Sequence, residues 1–346
     1  MKLTNKFLIG FMAIAACGCG QKQSDNPLLN DFTTPYGIAP FEEITIDNYR
    51  EGILLGMEEQ KAEIEAIINN PEEPTFQNTI VAMDQSGKLL RKVRGTFSPL
   101  TSSNSTEESR ALEKELSPLM SAHSDDINLN EKLFARVKKV YDNRENIKLT
   151  PEEKTVLENI YKRFVNSGAN LNDEQKTRLR KINKELSMLQ LKFSQNLLHE
   201  TNNSYVVAEN IEELKGLPQA NIDAAAKMAA DNGQPGKWMF NMQRPSCNPV
   251  LQYCENRELR EKVYNAYYNR GNRDNEYDSK EICAKIVTLR LEKAKLMGYE
   301  NYAQMVLEER MAKTPEAVYE LLDQVWEPAV AKVKEELDDI RAEIRK

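Results

Sequence analysis

TFQNTIVAMDQSGKLLRKVR, residues 75–94, is the stretch on which the fold turns. Phe76, Ile80, Met83, Gly87 and Leu90 recur at steps of three and four, which places them on one apolar stripe of a helix. Thr75 follows Pro74 at the position of an N-cap. Lys88, Arg91, Lys92 and Arg94 gather toward the other end, where the helix dipole favours cations. The preceding segment, residues 45–69, carries Tyr49, Ile53, Met57, Ile64 and Ile67 in the same rhythm. A short loop, 70–74, joins the two, so the pair reads as an antiparallel helical hairpin whose apolar residues are there to pack. Gly87 in mid-stripe costs roughly 1 kcal/mol of helix propensity against Ala, and close approach of a neighbouring helix is the reason expected for it.

The whole chain has the bulk character of a helical globular protein. Its 346 residues are 40% hydrophobic and 29% charged, with aromatics at only 7%. The formal charge is −7, and it becomes −9 once a leader containing Lys2 and Lys6 is removed. An acidic balance of this kind argues against general binding to nucleic acid or to an anionic membrane surface, since both need a basic face.

The start of the chain reads as an address. Lys2 and Lys6 precede an apolar run, residues 7–16, that is too short for a permanent membrane span, and Cys17 follows. Ile14-Ala15-Ala16-Cys17 resembles a bacterial lipobox, in which the thiol is lipidated and becomes the new N-terminus. Cys19 is the weaker candidate. The expectation is an exported lipoprotein anchored through Cys17, facing the periplasm or the outer membrane. The division expected is a signal peptide over 1–16, a tether and irregular lead-in over 17–41, a helical domain over 42–200, and a helical region with a small β element over 201–346.

Further helices are marked by their starts. Residues 106–109, TEES, and 150–153, TPEE, each set a capping Thr before acidic residues, and Thr314-Pro315-Glu316 repeats the second pattern. A Ser/Thr/Asn cluster from Pro99 to Thr106 is expected to end the second helix of the hairpin. Gly168 and Gly298 read as helix stops. The longest pattern, residues 171–200, carries Leu179, Ile182, Leu186, Leu189, Phe193 and Leu197 on one face and suggests a rod between subdomains. Tyr205-Val206-Val207 and Lys237-Trp238-Met239-Phe240 are β-prone and predict one antiparallel pair around a helix over 218–230. Helices are expected over 248–269, 280–297 and 302–312, and a last run from Thr314 should kink or break at Pro328. The fold class expected is mainly α, with at most that one β pair.

Candidate chemistry is sparse. The sequence has two histidines, His123 and His199. His199-Glu200-Thr201-Asn202-Asn203 begins like His-Glu-x-x-His, but two imidazoles one turn apart are needed to share a zinc ion, and position 203 is Asn. His123 is expected in a polar turn, residues 121–126, beside Asp125 and Asp126, without ligand spacing for a cation. The run YNAYYNRGNRDNEY, residues 264–277, could stack bases or grip an anion, but Asp274, Glu276 and Asp278 offset its charge and a solvated helix end is expected. Cys247, Cys254 and Cys283 form no CxxC pair. An oxidising compartment would permit one disulfide, but an odd set of three reads as small buried hydrophobes.

Beyond these local features, the sequence resembles the M3 family of zinc metallopeptidases, in particular its peptidyl-dipeptidase branch. The strings that carry the resemblance are ITIDNY at 44–49, NTIVAMDQSG at 78–87, LFARV at 133–137, RFV at 163–165 with Gly168-Ala169, and MAKTPEA at 311–317. They span 27–346. The resemblance implies a mainly helical body split by a deep channel that admits short unfolded peptides, and a full-length enzyme that works as a monomer. It also implies a His-Glu-x-x-His zinc site in a later half, so that this chain corresponds to the N-terminal part. No metal ligand, general base or transition-state residue of the family maps onto a position here. The catalytic, cofactor and metal residues expected within the chain are therefore none, and the chain by itself is expected to be inactive. The rival expectation is a non-catalytic helical lipoprotein that binds peptides or acts as a scaffold.

Overall fold

The computed structural model describes residues 24–346; Cys17, Cys19 and the rest of the leader lie outside the described residues. The chain is mainly α-helical. Helix α1 (Ile46–Ile68) and the segment after it form the expected hairpin, with Thr45 and Thr75 each closing a capping box on the Asn three residues later. Tyr49, Ile53, Ile64, Ile67, Ile80, Met83 and Leu90 are all buried, as their periodicity requires.

The second arm is not one helix. Phe76–Val81 is a π-helical turn, α2 (Ala82–Gln85) is a single α-turn, and α3 (Lys88–Ser103) starts afresh. The break is at Gly87, whose φ of 70° is left-handed and whose amide donates to Glu63 Oε2 at 2.6 Å. Gly87 is thus a joint that also lies close under α1, since a Cβ on it would stand 2.5 Å from Gln60 Nε2, and two glycines of α1 permit close approach in the same way. A Cβ on Gly56 would stand 2.8 Å from the Leu90 backbone nitrogen, and one on Gly52 3.1 Å from Val93 Cγ2. Helix α3 continues past Pro99 and stops at Asn104, within the Ser/Thr/Asn cluster expected to end it.

Helix α4 (Glu107–Asn128) opens on the Thr106 capping box and runs through Pro118, so residues 121–126 are helix and not a turn. Then come α5 (Glu131–Asp142), α6 (Pro151–Asn166) and α7 (Asp173–Asn203). Gly168, at φ 97°, makes the sharp turn between α6 and α7. The long helix α7 is no free-standing rod. Leu186 and Ile182 pack against Ile282, Ile286 and Leu289, which belong to a later helix, and its other side lies along α4.

Strands β1 (Tyr205–Ala208) and β2 (Trp238–Asn241) pair antiparallel, Val206 opposite Phe240, around α8 (Gln219–Asp231). The helix expected over 248–269 is two, α9 (Arg244–Tyr253) and α10 (Arg257–Tyr268). Asn256 caps the second by accepting from Glu258 N and Leu259 N, which is what ends the first. Cys247 and Cys254 are buried with Val206, Phe240 and Leu259. Cys283 is exposed and does not share their packing role; all three are free thiols.

Helix α11 (Lys280–Leu296) ends before Gly298, and α12 (Tyr302–Leu307) is shorter than its sequence pattern. The last helix, α13 (Pro315–Ile344), is capped by Thr314 and runs through Pro328 without interruption. No residue of α13 is buried, although Leu322, Val325, Trp326, Val333, Leu337 and Ile340 form an apolar stripe on it.

Candidate functional site

The C-terminal part of α7 brings His199 to a surface cavity of about 340 Å³. The first turns of α4 supply Glu107, Arg110 and Lys114, α7 supplies Gln195, His199, Asn202 and Asn203, and Tyr277 closes the end. Arg110 Nη1 reaches only its own loop, at Ser105 O (3.4 Å) and Ser105 Oγ (3.3 Å). Both long cationic side chains are therefore available to a ligand, and the amides beside them can donate or accept.

The two members of the His-Glu pair face different ways. The His199 ring stacks on Tyr277, with centroids 3.6 Å apart and an interplanar angle of 14°. Glu200, 2% exposed, points inward and anchors the loop between α10 and α11. It accepts from the Gly271 amide and from Asn275 Nδ2 at 2.9 Å, and Arg273 Nε lies 3.9 Å away. Arg273 in turn donates to Ser204 Oγ at 2.6 Å, and Arg270 Nη1 to Thr201 Oγ1 at 2.8 Å. A carboxylate occupied by a backbone amide, a carboxamide and a guanidinium is not free to activate water. Where a zinc site would place a second histidine, Asn203 donates back to the His199 carbonyl at 3.0 Å.

Zinc, implied by the family resemblance, has no matching donor set here. Among the described residues no three His, Cys, Asp or Glu side chains come together as a metal site. His123 binds Gln60 Oε1 through Nε2 at 2.8 Å, and burial holds its pKa below the ordinary imidazole value. The aspartates after it diverge: Asp126 pairs with Arg180 at 2.7 Å, and Asp125 turns inward to Asn183.

The run 264–277 likewise satisfies itself. Tyr264 and Tyr268 pack with tilted rings, centroids 4.3 Å apart, and Arg270 covers Tyr267 at 3.9 Å. The acidic residues that follow are structural too. Asp278 accepts from the amides of Lys280 (3.0 Å) and Asp274 (2.8 Å) and pairs with the Lys280 ammonium, which together hold its carboxyl at about 2.

Sequence reasoning missed the cations of the cavity, Arg110 and Lys114, and also a polar cluster on the inner side of α7. The cluster had a signal: Asn183, Ser187 and Gln190 stand at helical spacing among the leucines of the apolar face.

The Peptidase family M3 description matches residues 250–346. Together with the relatives that follow, this shows that the chain is similar to peptidase family M3. Among them, the chain is 34% identical to "Dipeptidyl carboxypeptidase" of Escherichia coli over 321 residues, which is 93% of this chain and 47% of the relative. It is 31% identical to "Oligopeptidase A" of Haemophilus influenzae, over 91% of this chain and 46% of the relative. It is 30% identical to the organellar oligopeptidase A of Arabidopsis thaliana, over 92% of this chain and 40% of the relative. The chain spans about half the length of the curated relatives it matches.

Proposed function

We propose that this chain is the N-terminal half of a zinc-dependent peptidyl-dipeptidase, and that it serves the enzyme as a binding wall without supplying its chemistry. The observation that carries the reading is the 34% identity to a dipeptidyl carboxypeptidase across 93% of the chain. The α13 stripe supports it, because Trp326 at 69% exposed, with Val325, Val333 and Leu337, is surface of the kind that another element covers. In this reading the His-Glu-x-x-His zinc site lies beyond Lys346. What these residues contribute is positioning: Arg110 and Lys114 offer cations to the carboxylates of a short peptide, and the Asn and Gln amides beside them suit its backbone. We also place the protein outside the cytoplasm, held to a membrane through lipidated Cys17; a Cys17→Ala variant should then leave the membrane fraction.

The test is mass spectrometry of an unstructured peptide incubated with the complete gene product and, separately, with residues 24–346. The complete protein should release C-terminal dipeptides and lose that activity to a chelator. The shorter chain should release none; dipeptide release by it would overturn the assignment.

A further inference from the structure

A second cavity, of about 350 Å³, lies between the end of α4, the turn from α6 to α7, the inner face of α7 and helix α11. Its lining is unlike the rest of the interior. Asp125, only 8% exposed, and Lys293 face it together, linked by one carboxamide: Asn183 Nδ2 donates to Asp125 Oδ1 at 2.8 Å, and Lys293 Nζ donates to Asn183 Oδ1 at 2.8 Å. Serine hydroxyls and amides, among them Ser124, Ser187 and Gln190, complete the wall.

The hydrogen-bonding capacity of the two charged groups is mostly unused. An ammonium has three donors and a carboxylate about four acceptor positions. Among the described residues, each of these two side chains makes one side-chain hydrogen bond, and both bonds go to Asn183. Burial pushes the Asp125 carboxyl up and the Lys293 ammonium down, so both groups are held partly out of water with their charges incompletely answered. Arg180, the other nearby cation, is turned outward to Asp126.

We propose that this cavity binds a small zwitterion, a free amino acid or a dipeptide, with its carboxylate on Lys293 and its ammonium on Asp125. Two opposite charges presented by the two ends of one carboxamide call for a ligand whose own opposite charges are only a few bonds apart. The hydroxyl and amide lining suits an intervening peptide or α-carbon and offers little to an apolar molecule. The volume sits at the lower end of small-ligand pockets. The site needs no hydrolysis by this chain and stands whether or not the complete protein is a peptidase.

Titration calorimetry of the protein with L-alanine, L-alanyl-L-alanine and the same dipeptide acetylated and amidated at its ends tests this. At least one free zwitterion should bind saturably, and the doubly capped peptide about tenfold or more weaker, about 1.4 kcal/mol. Lys293→Met should weaken binding to a similar degree. Because that change touches a packed network, Ser187→Leu is the second variant: it fills the cavity from a half-buried position and should also abolish binding. No saturable binding by either zwitterion, equal binding of the capped peptide, or wild-type binding by the Ser187→Leu variant would each overturn the assignment.

Discussion

Replacing Gly56 by Ala is the sharpest probe of the packing that holds the N-terminal hairpin together. Helix α1 crosses α3 so closely that the new Cβ would lie 2.8 Å from Leu90 N and 2.9 Å from Leu90 Cα. These are backbone atoms in the first turn of α3, and no rotamer change relieves them. Overpacking costs about 1–3 kcal/mol, and a backbone clash belongs at the upper end; Ala returns roughly 1 kcal/mol of helix propensity. The net loss expected is roughly 2 kcal/mol, or about 3 °C in Tm for a protein of this size. Gly52→Ala should cost less, since its Cβ meets the movable methyls of Val93 at 3.1 and 3.3 Å. Gly95→Ala on α3 meets nothing within 4 Å and should stabilise by up to ~1 kcal/mol. Urea denaturation of the three variants should rank them Gly95→Ala above wild type, Gly52→Ala between wild type and Gly56→Ala, and Gly56→Ala lowest. If Gly56→Ala proves as stable as Gly95→Ala, the close crossing of α1 and α3 is wrong.

Glu200→Gln should lower stability by roughly 2–3 kcal/mol, because a buried charged acceptor facing three donors is replaced by a group that can accept at one end only; an unchanged urea midpoint would mean the carboxylate does not anchor the loop. Asp278 is held at about 2 against an ordinary 3.8, so its contribution is full above the ordinary value and is lost as pH falls through about 2. Protection of the Asp274 and Lys280 amides, measured against their intrinsic exchange rates at each pH, should accordingly fall as pH drops from 4 to 2, and in Asp278→Asn it should be low throughout, with identical protection in the variant as the contrary result. Of the three described cysteines, Cys283 should react promptly with a thiol reagent in the folded protein, whereas Cys247 and Cys254 should react only on unfolding.

The helices could be read from the sequence because their determinants are local. Thr45, Thr75, Thr106, Thr150 and Thr314 each begin a helical segment by accepting a backbone hydrogen bond three residues on, and the stripes of α1 and of α7 as far as Leu186 are buried where their periods put them. The interruptions were less legible. The joint at Gly87 is fixed by Glu63 and packed over by Gln60, contacts that no window around residue 87 contains. The prolines at 99, 118 and 328 lie within helices that carry on through them. At the candidate sites, His199 and Glu200 attracted notice as a motif, yet their roles were decided by Tyr277, Gly271 and Asn275, some 70 residues further along the chain. The Asp125–Asn183–Lys293 cluster joins three helices and has no sequence spacing at all.

The most direct measurement of the central claim is the coding sequence downstream of the Lys346 codon. The account predicts an open frame that continues for a length similar to this chain and encodes His-Glu-x-x-His. A stop codon immediately after Lys346 would contradict it.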